Sequence, residues 1–124
     1  MHIRAFLVSD AVAITSEGNK LVIEGIFDTF FSKSFPAQHE SLSTVLFFDD
    51  EENKFKYELF LRHKAQRIKL AEAEFTKEEH THKIISRLKN LPIPEEGDYA
   101  FEAELNNKIV ASYSLLTKKI DSVD

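Results

Sequence analysis

Residues 99–115, YAFEAELNNKIVASYSL, alternate apolar and polar side chains on either side of two asparagines. Tyr99, Phe101, Ala103 and Leu105 make one apolar row and Ile109, Ala111, Tyr113 and Leu115 another, the period of two that marks a strand with one buried face. The segment therefore reads as a β-hairpin. A two-residue loop at Asn106 and Asn107 would set Leu105 opposite Lys108, bringing the apolar row of one strand against the polar row of the other. The pattern predicts an odd-numbered loop or a bulge, with Asn107 in the left-handed conformation that asparagine tolerates.

The same alternation extends outward along the chain. In KFKYELFLR (54–62), Phe55, Tyr57, Leu59 and Leu61 are apolar between polar neighbours, with Phe60 the exception. Further strands are expected at LVIEGIF (21–27), LSTVLFF (42–48) and QRIKLAEAEF (66–75), and SEGNK (16–20) reads as a turn with Gly18 at positive φ. About eight short strands with frequent turns predict an all-β antiparallel β-sandwich, a single domain over residues 1–124. HKIISRLKNL (82–91) fits less well, because Ile84, Ile85, Leu88 and Leu91 have helical spacing. A strand is expected there from its neighbours, with a short helical turn near 77–90 as the alternative.

Composition narrows the chemistry. The 124 residues suffice for one core without staples. There is no cysteine, hence no disulfide, thiolate metal site or thiol nucleophile, and a reducing cytoplasm is the expected compartment. The N-terminal MHIRAFLVSDAVAIT lacks a signal-peptide layout, and no run is long and apolar enough to span a bilayer. With Lys plus Arg 16 against Asp plus Glu 21, the net charge of −5 argues against a nonspecific nucleic-acid or anionic-membrane role.

Several stretches carry candidate chemistry. GIFDTFFSKSFPAQHE (25–40) holds four phenylalanines, a proline and a histidine. Its main reading is structural: the chain crosses between sheets, Pro36 fixes φ, and Phe27, Phe30 and Phe35 plug the open side of the sandwich. The alternative is an aromatic ligand groove of Phe30, Phe31, Phe35 and His39. HTH (80–82) offers His80 and His82 as a metal pair if a third ligand, His39 or His63, arrives from elsewhere, although solvated loop histidines are the commoner case. DDEEN (49–53) reads as a charged turn rather than a calcium loop, since the alternating ligand spacing is missing. RHKAQRIK (62–69) is basic but has no interleaved aromatic residues, and reads as a solvated turn.

SDA (9–11), GNKLVIEGIFD (18–28), FPAQHE (35–40) and LPIPEEGDYAFEAELNNKIVASYSLLT (91–117) together resemble a family of short bacterial proteins of unknown function. The resemblance spans nearly the whole chain. It implies an all-β sandwich and carries no activity with it. The chain departs from the family pattern at Asn107, where glycine is usual, and in the longer polar stretch 76–83.

Two classes of function follow. The leading one is a non-catalytic interaction or structural module, acting without a cofactor on an unknown protein partner or on a second copy. In that reading the last strand contributes Val110 and Leu116 to the interface, because both its rows are partly apolar. The alternative is a small-molecule or metal site at one end of the sandwich that uses Asp10, Asp28, His39 or the His80/His82 pair.

Overall fold

The computed structural model describes residues 1–76 and 78–121. Among them are nine strands and no helix: β1 (His2–Ile14), β2 (Leu21–Ile26), β3 (Thr29–Ser32), β4 (Ala37–Asp49), β5 (Lys54–His63), β6 (Gln66–Thr76), β7 (Thr81–Ile93), β8 (Gly97–Leu105) and β9 (Lys108–Lys119). They form two packed sheets, ordered β2-β1-β4-β7 and β3-β9-β8-β5-β6. The all-β sandwich is thus as expected, with one strand more. β3, four residues long, pairs parallel to β9 where antiparallel neighbours were expected. No helix long and apolar enough to cross a membrane occurs among the described residues.

The core forms where the two inner faces meet. Val8, Leu42, Leu46 and Phe48 of the first sheet pack on Tyr57, Leu59, Phe101, Leu105 and Leu115 of the second, all 2% exposed or less. Asn106 and Asn107 both take positive φ, 51° and 68°, closing a two-residue turn that pairs Leu105 with Lys108. Register is then restored by a bulge: Glu104 pairs with Ile109 but Ala103 with Ala111, so that Val110 is the extra residue. From there Phe101 faces Tyr113 and Tyr99 faces Leu115, the inward rows that the alternation demanded.

Over residues 81–90 the helical alternative is overturned by β7, while residue 77, where that alternative begins, lies outside the described residues. This strand pairs with β4 from Ala37↔Ile93 to Asp49↔Thr81. Its helix-like spacing has a local cause. Ile84 and Leu88 pack inward, then Asn90 takes φ 55°, and beyond it Leu91 and Ile93 are the buried residues. An inward row that changes parity once in a strand reproduces i, i+4, i+7 without a helix.

Phe27, Phe30 and Phe35 are half-buried against the core, as the plug reading requires, while Phe31 is 54% exposed. Gly18 has positive φ, as expected of the first turn.

Candidate functional site

At one end of the sandwich the sheets part around a cleft of about 460 Å³. One wall comes from Pro36, Ala37 and Gln38 at the start of β4 and from Pro92, Ile93 and Pro94 at the end of β7. The facing wall comes from Leu61 and His63 of β5, Gln66 and Ile68 of β6, and Tyr99 of β8. All three prolines of the chain lie here. Proline has no N–H to give a ladder, so Pro92 and Pro94 suit the end of the edge strand β7, and the three prolines contribute no backbone donors to that wall. Ile68, on the edge strand of its sheet, remains 42% exposed.

The floor is a fixed polar cluster. The His63 imidazole lies flat on the Tyr99 ring, centroids 3.9 Å apart and planes 7° from parallel. Its Nδ1 is hydrogen-bonded to the Asp98 carbonyl oxygen at 2.8 Å and its Nε2 to the Glu95 carboxylate at 2.9 Å. Lys64 reaches the same Glu95 oxygen at 2.9 Å, and Lys64 first, then His63, holds the Glu95 carboxyl below its usual range. The Tyr99 hydroxyl donates to the Glu95 carbonyl at 2.6 Å and accepts from the Glu95 N–H at 3.3 Å, and burial pushes this phenol up. Gly97 permits the arrangement: it has φ 134°, and a Cβ there would press on His63 Cε1 at 3.1 Å.

This cluster decides what the cleft can do. Its two titratable lining groups, His63 and Tyr99, are both committed to structural hydrogen bonds. No serine, threonine, aspartate or glutamate lines it. The remaining lining residues are apolar apart from Gln38 and Gln66.

The residues singled out from the sequence are dispersed. His39 stands away from the cleft, stacked on Phe27 (5.3 Å, 6°) and tilted against Phe30 (5.1 Å). Burial lowers its pKa, opposed by Asp10 and by the Ser41 backbone. Phe35 packs on the core and Phe31 points to solvent, so the four residues do not line one groove. His80 is exposed, whereas His82 is wholly buried, stacked on Phe48 and edge-on to Phe55. The pair thus lies in two environments, and no group of three or more His, Asp or Glu suited to a metal occurs among the described residues.

Val110 packs against the core at the bulge, whereas Leu116 lies half-buried on β9 where it joins β3. The bulge takes them off a common row. In the acidic turn, Asp49 accepts from Arg4 (2.8 Å) and Thr81 (2.9 Å), and Asp50 accepts from the Glu52 N–H. The basic stretch is equally matched. Arg62 and Arg67 pair with Glu102 at 3.1 and 2.8 Å, Arg67 also with Glu104, and Lys69 with Glu58 at 2.8 Å.

Sequence reasoning missed Gln38, Gln66, Ile68 and Tyr99 as cleft residues, and met His63 only as a distant metal partner. The one available signal was the proline spacing of LPIPEEGDY beside FPAQ, which marks two strand ends without showing that they meet.

A model for a family of unknown function (DUF6941) matches residues 4–118. The sensor domain of the anti-sigma factor RsgI4 in Pseudobacteroides cellulosolvens is similar over 97% of this chain and 96% of that one, with 11% identity and a TM-score of 0.47. The alkylpurine DNA glycosylase AlkC of Pseudomonas fluorescens, bound to DNA containing an abasic site analog, matches 91% of this chain but 30% of its own length, with 10% identity and a TM-score of 0.48. Neither likeness bears on function. No curated protein matches the sequence.

Proposed function

Since the chain belongs to this family of unknown function, matched over residues 4–118, we propose from its own geometry that it is a non-catalytic binding module whose site is the cleft between the two sheet ends. The observation that carries the reading is the combination of an apolar concavity of about 460 Å³ with lining acids and bases that are all engaged. Clefts of roughly 300–1,000 Å³ with apolar walls and a few polar groups are the usual form of small-molecule sites. The cleft adjoins the Phe-rich corner through Pro36 and replaces that corner as the binding element.

The matched basic cluster supports a ligand other than nucleic acid, because its cations are paired with carboxylates. The absence of cysteine supports a reducing, cytoplasmic setting, and the family resemblance supports a bacterial one. Self-association through the face that carries Leu116 is a second, separate reading, favoured by a half-buried leucine on the outer row of β9.

A thermal-shift screen of small uncharged molecules tests the cleft. A ligand at ten times its Kd should stabilise by about 1.4 kcal/mol. Ile68→Glu, at an exposed position, should abolish the shift while leaving the unliganded melting temperature nearly unchanged. Hits indifferent to Ile68→Glu would remove the cleft from the account.

A further inference from the structure

The polar groups around the cleft differ in whether they are free to meet a ligand. Lys64 is paired with Glu95, and His63 is hydrogen-bonded to Glu95 and to the Asp98 carbonyl, so each of these groups is already engaged before a carboxylate or phosphate could meet it. Pro36, Pro92 and Pro94 add no backbone N–H with which an anion could be cradled. Gln38 and Gln66 remain, one from each sheet, and neither side chain makes a hydrogen bond among the described residues. A carboxamide offers a donor and an acceptor side by side, and its natural complement is another edge of the same kind. A charged group drawn between apolar walls would lose hydration with nothing to replace it.

We infer that the ligand of this cleft is an uncharged molecule that lays a flat ring against the proline, Ile68 and Tyr99 walls and turns an amide-type donor–acceptor edge to Gln38 and Gln66. The inference rests on the cleft being the binding site. It goes further by fixing the charge and polar pattern of what binds. Acids, phosphates and amines are excluded as a class by the matched rim.

Three probes with one ring and different charge separate the claims: indole-3-acetamide, indole-3-acetate and tryptamine, each titrated into the ¹⁵N-labelled full chain at neutral pH. The acetamide should shift the side-chain NH₂ signals of Gln38 and Gln66 and the amide of Ile68, and bind at least ~10-fold more tightly than either ion, because only the ions lose hydration without compensation. The double substitution Gln38→Leu and Gln66→Leu, at two exposed positions, should erase that preference. If the acetate or tryptamine binds in the cleft as tightly as the acetamide, the inference about charge is wrong and the cleft still stands. If none of the three shifts a cleft residue, the cleft reading fails and this inference with it.

Discussion

The carboxylate of Asp10 lies over the backbone of Gly25, in the space where any other residue would carry its Cβ. Gly25 has φ 69°, a conformation that costs an L-residue roughly 1–2 kcal/mol before any collision. The two strands β1 and β2 close on each other at this point, between Ser9↔Ile26 and Ala11↔Glu24. Gly25→Ala should therefore lower stability by about 2–3 kcal/mol in urea unfolding. In an Asp10→Ala background the same change should cost less, the remainder being the backbone contribution alone. An unchanged midpoint for the single variant would show that neither constraint operates.

Phe27 has three neighbours with distinct roles: His39 stacks on its ring, Val8 accepts its N–H at 3.3 Å, and Tyr113 donates to its carbonyl at 2.7 Å. The side chain is half-buried against the core, so Phe27→Ala should cost about 2–4 kcal/mol, somewhat below the range for a fully buried phenylalanine. A loss under about 1 kcal/mol would mean an ornamental ring and would return the corner to candidacy as a groove.

His39 makes stability depend on pH. Burial, the largest influence, sets its folded pKa below the ordinary 6.5, against the pull of Asp10 and the Ser41 backbone. Below 6.5 the unfolded chain takes up this proton first, so the contribution of the neutral ring is complete above 6.5 and lost as pH falls through the folded value. Unfolding free energy measured from about pH 7 down to about pH 5 should fall more steeply in the native protein than in His39→Phe, which keeps the stacking and removes the titration. Parallel profiles would contradict this.

Val110 and Leu116 should respond differently to the same substitution. Val110→Lys places a charge where the bulge packs on the core, and should cost about 1–3 kcal/mol. Leu116→Lys should leave the fold intact. If the native protein self-associates through this face, Leu116→Lys should lower the mass seen by light scattering. An unchanged mass for a native dimer would place the contact elsewhere.

Much of the sandwich is visible in the residues themselves, because a strand pattern is local. The conflict between Leu105 and Lys108 announced a register correction, and a bulge at Val110 supplies it. The same bulge breaks the reading of Val110 and Leu116 as one face, since a period-2 row holds only while the strand stays regular. The helical alternative at β7 arose for a related reason, the parity of its inward row changing at Asn90, while the strand expected from its neighbours is the one that forms. The cleft was illegible because it belongs to no segment: its walls come from strands β4 to β8, and each residue alone reads as an ordinary strand end. What joins Pro36 to Pro92 is the pairing of β4 with β7, a long-range register that no short motif encodes.

Crystals of the native protein soaked with a set of small uncharged ring compounds would locate the binding site without prior choice of ligand. Density should appear between Ala37 and Pro92 on one side and Ile68 and Tyr99 on the other, with His63 and Glu95 unmoved. An unfilled cleft, with fragments gathered instead beside Phe27, Phe30 and His39 or on the face of Leu116, would contradict the cleft as the working part of this molecule.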